Sequence, residues 1–401
     1  MVIKMKKRTL LWVSLRAPYD TVTHAGGKVH NYYIKQFQKS NYFDIRLLTF
    51  CRENEIEKID LEKYDISYEA IIIPKDERRR KRLEKMGFPP SLLEYCFVRK
   101  KVKTKLREWK KKGYHPDFIF LQWTEMVLLL PYVKQLFPNS EIICIEEDVT
   151  FLKLQRKIKQ NKGMKKLLFW IQEKMMKKNE LSSLMKSDLA VLNNQKDCSL
   201  VVNHGVPKEK TFVTAPFFNN LSEIERCSDG KTVIFWGAMN RPENEEAAIW
   251  FIEKVMPEIE DIRFVILGAH PSEKICAYAS ERIEVTGFVD DPKEYFAKCL
   301  CMVVPLKNGA GIKIKVLEGM SAGIPVLTNE IGIEGIPAKN EYDYFHCEIA
   351  QDYTKAIYKL LYDNTLGKNI GENAKCLIKQ NFDFKESVDR FVKRIMQSQS
   401  T

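Results

Sequence analysis

Residues 308–334 read NGAGIKIKVLEGMSAGIPVLTNEIGIE. Gly309 and Gly311 mark a loop whose backbone can approach a ligand, because glycine carries no side chain and tolerates positive φ. The pattern predicts a following helix, with Val316, Leu317 and Met320 as its apolar stripe and Ile312 at the edge. Gly323 and Pro325 end that helix, and a strand over Pro325–Asn329 comes next. The first predicted turn carries Lys313 and Lys315. A lysine there opposes the helix dipole unless an anion sits beside it, and the free N–H groups of the same helix end attract anions too. Glu318, about one and a half turns on, is suited to accept hydrogen bonds from sugar hydroxyls rather than to touch phosphate. Phosphate binding, with a hydroxyl-reading acid nearby, is the chemistry this stretch predicts.

The same alternation of short apolar runs and helical segments extends over the whole chain. Strands are predicted at Thr9–Leu15, Asp44–Phe50, Ala70–Pro74, Phe118–Trp123, Glu141–Glu146, Leu189–Asn193 and Thr211–Ala215. A second set is predicted at Thr232–Trp236, Arg263–Leu267, Ile283–Thr286 and Met302–Pro305, after a turn at Asp229-Gly230. Near-continuous apolar runs with helices between them are the grammar of parallel, doubly wound sheets.

The 308–334 stretch resembles the donor-site signature of GT-B glycosyltransferases, in particular retaining family 4 of the glycosyltransferase group 1 superfamily. Lys313, Lys315, Glu318, Gly323, Pro325 and Val326 hold the family's order and spacing. The resemblance implies an α/β architecture of two Rossmann-like domains facing a cleft. Their expected spans are 1–218 for an acceptor-binding domain and 219–380 for a nucleotide-sugar domain. Residues 381–401 are expected to form a helix returning to the first domain.

The resemblance also implies roles for other residues. Gly26 and Gly27, flanked by His24 and His30, stand where the family has a Gly-Gly loop near the donor diphosphate. Gly237, Arg241 and Asn244 follow the first strand of the second domain, with Arg241 as a diphosphate clamp. Gly287, Phe288 and Val289 stand beside the expected nucleobase. Asp291 and Pro292 read as the cap and first residue of a helix. At the end of the fifth strand, Glu146-Glu147-Asp148 occupies the loop that lines the acceptor side. Asp148 and Glu147 are its candidates for the acceptor hydroxyl. Many family members carry a glutamate eight residues before Glu318; this chain has Ala310 there, which leaves the donor sugar open.

Composition narrows the setting. The chain has 401 residues, a comfortable length for two domains, and a net charge of +12. Residues 1–210 hold 43 basic and 25 acidic residues, hence +18; the remaining 22 and 28 give −6. Two segments concentrate the positive charge, 75–112 and Lys153–Lys178, both with apolar residues interleaved. A solvated amphipathic face and a surface for anionic lipid are the competing readings. No nucleic-acid motif accompanies the charge. The ten cysteines are scattered without a CxxC pair, so zinc is unsupported and a reducing compartment is favoured. No apolar run reaches the ~20 residues of a membrane span.

These features combine into an expected metal-independent transferase, cytoplasmic and peripheral on the inner face of the membrane. It takes a nucleoside-diphosphate sugar as donor, needs no other cofactor, and uses a lipid-linked glycan acceptor in surface polysaccharide assembly. A sugar-nucleotide epimerase and a non-catalytic binding protein are the alternatives. The missing GxGxxG fingerprint disfavours a nicotinamide dehydrogenase.

Overall fold

The computed structural model describes residues 7–22, 25–74, 91–309 and 311–397. His24 and Ala310 lie outside the described residues, as does the 75–90 part of the first basic segment. The chain divides into two compact units, one of residues 1–217 with 384–401, the other of residues 218–383.

The first unit is a parallel sheet of seven strands: β1 Arg8–Ser14, β2 Phe43–Cys51, β3 Ser67–Ile72, β4 Phe118–Gln122, β5 Glu141–Glu146, β6 Leu189–Leu192 and β7 Thr211–Val213. Their spatial order is β3-β2-β1-β4-β5-β6-β7. The order reverses between β1 and β4, so a crevice opens at their carboxyl ends. Alternate residues of β1 enter opposite cores. Leu11 and Val13 join Val98, Val102, Leu106 and Phe151 on one face. Leu10 and Trp12 join Ile34, Phe37, Phe120 and Phe391 on the other. A strand buried on both faces has no polar face to display, which is why its sequence is an unbroken apolar run.

The helix Phe384–Gln397 completes that second core. Phe391 stacks on Phe120 and Phe212, with centroids 5.8 and 5.4 Å apart. Ser387 Oγ accepts the backbone N–H of Ala215 at 2.8 Å. The Tyr33 hydroxyl donates to the Ala215 carbonyl at 2.6 Å. The last helix therefore belongs structurally to the unit formed by the start of the chain.

The second unit is a parallel sheet of six strands: β8 Thr232–Trp236, β9 Arg263–Leu267, β10 Ile283–Gly287, β11 Cys301–Val304, β12 Val326–Thr328 and β13 Phe345–His346. Their order, β10-β9-β8-β11-β12-β13, reverses between β8 and β11. The predicted strands are present in both units with shifted ends, and one helix start differs as well. β3 lies earlier than expected because Arg46 to Cys51 of β2 pair with Ser67 to Ile72. Pro325 stands outside β12. Pro292 caps its helix instead of opening it, while Asp291 accepts the Lys293 N–H at 3.0 Å. The two-residue β13 has no apolar pattern that would reveal it.

Truncating Phe391 removes a ring shared by three aromatic neighbours, for which about 3–5 kcal/mol is typical. Phe391→Ala is expected to lower the unfolding free energy of the first unit, measured by denaturant titration, by that amount. A loss under 1 kcal/mol would show the last helix to be a loose appendage.

Candidate functional site

The helix of the diagnostic stretch spans Ile314–Ser321. Lys313 is its cap residue, and its carbonyl accepts Val316 N–H at 2.8 Å. The helix stops at Gly323, whose φ of +72° places it in the left-handed region. The Gly323 N–H bonds the Met320 carbonyl and the Ile324 N–H bonds the Gly319 carbonyl, a Schellman end that only glycine adopts without strain. Its amino end lies after β11 and faces the turn after β8. These are the two strands at the switch point, where this fold class binds ligands.

Gly237, just after β8, has φ +151°. A β-carbon built there would lie 2.7 Å from Lys315 Nζ and 2.9 Å from Asn244 Nδ2. Glycine thus makes room for a lysine and an asparagine to lie across the turn. Lys315 Nζ donates to Asn244 Oδ1 at 2.6 Å and lies 4.4 Å from the Phe235 ring centroid. Asn244 Nδ2 donates to the Ala238 carbonyl at 2.8 Å, which fixes the amide's orientation. Burial and then the nearby Arg241 charge pull the Lys315 pKa down to about 7, with Lys313 adding to the effect.

Lys313 is placed differently. Its ammonium lies 3.5 Å from the carboxylate of Glu334, a side chain with no exposed surface, and donates to the Gly311 carbonyl. The two lysines that the sequence assigns to one anion therefore have distinct protein partners: a carboxylate for Lys313 and a neutral amide for Lys315. Arg241 is about half exposed, 3.9 Å from Glu243. Asn308 reaches Glu246 at 3.3 Å, tying the glycine loop to the helix Pro242–Lys254 that also carries Asn244.

Glu318 is buried. One carboxylate oxygen accepts Trp236 Nε1–H at 2.8 Å, and the other accepts Asn219 Nδ2–H at 2.9 Å. It holds the end of β8 and the segment at 219 as well as facing the site loop. Phe288 follows β10 and is 71% exposed. Val289 is partly buried beside it. Gly268 links this strand end to the rest, because its N–H bonds the Gly287 carbonyl. Gly237, Arg241, Asn244, Gly309, Gly311, Lys313, Lys315 and Glu318 are thus gathered at the carboxyl edge of one sheet. Trp236, Asn219 and Glu334 were not predicted as part of the group. Trp236 is the only one with a sequence signal, a polar-tipped ring ending a buried strand.

In the first unit, a second polar group sits at the carboxyl ends of β4, β5 and β6. Glu147 accepts Gln122 Nε2–H at 2.6 Å and Asn193 Nδ2–H at 3.0 Å. Gly26 opens the helix Ala25–Lys39; a β-carbon there would lie 3.5 Å from Trp123 Nε1 and 3.8 Å from the Glu147 carboxyl carbon. Gly27 is the next residue of that turn, and Asp148 follows Glu147, partly buried. Trp123 has φ +73°, a strained conformation for a bulky residue, and its ring lies 5.4 Å from that of buried His30. The three consecutive acids part company. Glu146 is buried and accepts the Thr124 hydroxyl at 2.6 Å, and desolvation together with Glu180 drives its pKa well up. Desolvation raises Glu147 to about 7 against the pull of Gln122 and Asn193.

A carboxyl group whose folded pKa is raised stabilises the fold fully below its unfolded value and loses that contribution as pH rises through the folded value. For Glu147 this window runs from 4.5 to about 7. The melting temperature is expected to fall between about pH 4.5 and pH 7, and Glu147→Gln is expected to make the fall shallower. An unchanged slope would show that Glu147 titrates in the ordinary carboxylate range.

Comparison with known proteins agrees with this geometry. Residues 230–363 match the family described as Glycosyl transferases group 1. An "Uncharacterized 44.6 kDa protein in cps region" of Klebsiella pneumoniae is 27% identical over 188 residues. That match covers 43% of this chain, and the chain spans about half, 47%, of that relative's length. Sucrose-phosphate synthase from Thermosynechococcus elongatus superposes with a TM-score of 0.68 at 14% identity, covering 98% of this chain and 99% of the other. Anabaena Alr3699/HepE, solved in complex with UDP, superposes with a TM-score of 0.66 at 13% identity, covering 97% and 100%. The chain has the fold of GT-B glycosyltransferases, and its residues 230–363 are similar to the family described as Glycosyl transferases group 1.

Proposed function

We propose that this protein is a retaining glycosyltransferase that moves a sugar from a nucleoside-diphosphate sugar to a lipid-linked glycan acceptor in bacterial surface polysaccharide synthesis. The observation that carries the reading is the Lys315 amine, held across Gly237 at the switch point and bonded to an amide rather than to a carboxylate. An ammonium group in that position meets an incoming diphosphate without first breaking an ion pair. The family match over 230–363, the UDP bound by the Anabaena protein and the cps-region relative support donor class and pathway.

In the proposed reaction, the bond from the anomeric carbon to the diphosphate oxygen breaks and the acceptor oxygen takes its place, losing its proton. Charge collects on the departing diphosphate. Lys315, Arg241 and the amino end of the 314–321 helix would stabilise it, so that no metal ion is assigned to this step. Lys313 keeps the loop in place through Glu334 and adds its own field. Glu318 takes the ribose hydroxyls, and Phe288 with Val289 flanks the base. The Glu147-Asp148 loop of the first unit is assigned to the acceptor hydroxyl. The location that fits this work is the cytoplasmic face of the membrane.

A thermal-shift panel of UDP, GDP, ADP and CMP, with product analysis with and without acceptor, tests the reading. One nucleotide class is expected to raise the melting temperature, and Glu318→Ala is expected to abolish the rise. Lys315→Ala is expected to lower kcat by about 10²–10³-fold, the usual cost of one transition-state charge partner. No response to any nucleotide would overturn the donor site. Conversion of the donor without acceptor into an epimeric sugar nucleotide would replace transfer by epimerisation.

A further inference from the structure

The two basic segments of the first unit have similar composition and opposite construction. The helix Ser91–Lys111 turns Val98, Val102, Leu106 and Trp109 into the core, leaving Arg99, Lys100 and Lys101 in solvent. That is an ordinary solvated amphipathic helix. The first half of the helix Gly163–Lys186 is inverted, while Leu181 and Leu184 of its second half enter the core. Met164, Leu167, Leu168, Ile171 and Met175 occupy one face at helical spacing and are 72, 50, 39, 42 and 62% exposed. Trp170, beside that stripe, is 49% exposed. These six are among thirteen exposed large hydrophobics in the described residues, packed into twelve positions. The inward face holds the acids instead. Glu173 is 3% exposed and accepts Gln155 Nε2–H at 2.8 Å from the adjoining helix Thr150–Gln160.

Charge identifies the occupant of the exposed face. Residues 150–178 contain ten Lys and Arg and a single acid, the buried Glu173. An apolar stripe rimmed by lysines fits the boundary between headgroups and acyl chains of an anionic bilayer. No helix among the described residues is long and apolar enough to cross a membrane. The other end of the hairpin is fixed in the protein. Glu180 accepts the backbone N–H groups of Thr150 and Phe151 at 2.8 and 3.1 Å, and Thr150 lies 2.7 Å from the Thr124 hydroxyl that bonds Glu146. The helix pair is thereby mounted next to the Glu146-Glu147-Asp148 loop.

We infer that the helical hairpin 150–186 is a docking element for an anionic lipid surface, inserting the Leu167–Ile171 face between headgroups. This deepens the proposed lipid-linked acceptor and rests on that reading for its purpose: a hairpin seated in the interface holds the acceptor loop beside the membrane.

Flotation of the full chain with phosphatidylcholine vesicles, with and without roughly one-third phosphatidylglycerol, is the test. Wild type is expected to bind the anionic vesicles and to bind less at high salt. The variant Leu167→Gln/Leu168→Gln/Ile171→Gln and the variant Lys165→Glu/Lys166→Glu are each expected to bind at least about tenfold more weakly. Arg99→Glu/Lys100→Glu is expected to bind like wild type. Absence of wild-type binding, or equal binding by the glutamine variant, would overturn the inference. So would a concentration-dependent dimer that the glutamine variant abolishes in place of lipid binding, since a second copy would then cover the face. The nucleotide thermal shift, measured on the same proteins, separates the two claims. Vesicle binding without any nucleotide response would count against the transferase reading alone.

Discussion

Most of the second unit's functional edge depends on one uncomfortable placement: a lysine amine in the first turn of a helix, next to an arginine, with an amide as its acceptor. The helix dipole and the Arg241 charge both disfavour an ammonium there. Gly237 makes the placement sterically feasible, and the Phe235 ring and Asn244 hold it. Neighbouring Lys313 shows the alternative, a cation neutralised by a buried carboxylate. A chain that can pair a lysine with Glu334 but leaves the next one bonded to Asn244 keeps an electrostatic deficit at the switch point. The diphosphate of the proposed donor would remove such a deficit.

The acids of the first unit have the complementary character. Glu146 and Glu180 are buried, and Glu147 is held by two amides, with no cation among these bonds. Desolvation therefore favours their protonated forms, and Glu180 like Glu147 is pushed up to about 7. A group that exchanges its proton near neutrality is suited to a hydroxyl that must lose one. The strain at Trp123, one residue beyond β4, is local backbone energy kept at the same place.

Much of this was legible in the sequence, for a physical reason. Parallel strands covered on both faces must be apolar throughout, so β5, β8 and β9 can be read to the residue. The NGAGIKIKVLEGMSAGIP stretch shows its loop, helix and Schellman end through glycines whose positions the backbone demands. What stayed hidden is tertiary. Nothing near Lys313 announces Glu334, 21 residues away, as its partner. Nothing local announces that Asn219 reaches Glu318 across 99 residues of chain. The helices 91–111 and 163–186 carry similar mixtures of lysine and apolar residues, and periodicity cannot say which stripe the core will cover. Only packing reveals that the first buries its hydrophobic stripe, while the second exposes Met164 to Met175 around a buried Glu173 and reaches the core only through Leu181 and Leu184.

The central claim is that Lys315 awaits an anion, and its lowered pKa gives that claim a direct signature. Binding of a diphosphate would favour the ammonium form and raise the pKa, so protons must be taken up from solution near and above neutral pH. Calorimetric titration with UDP in two buffers of different ionisation enthalpy, at about pH 8, measures that uptake. The account predicts a net uptake approaching one proton in wild type and its loss in Lys315→Met. UDP binding with no proton exchange in wild type, or the same uptake in both proteins, would contradict it.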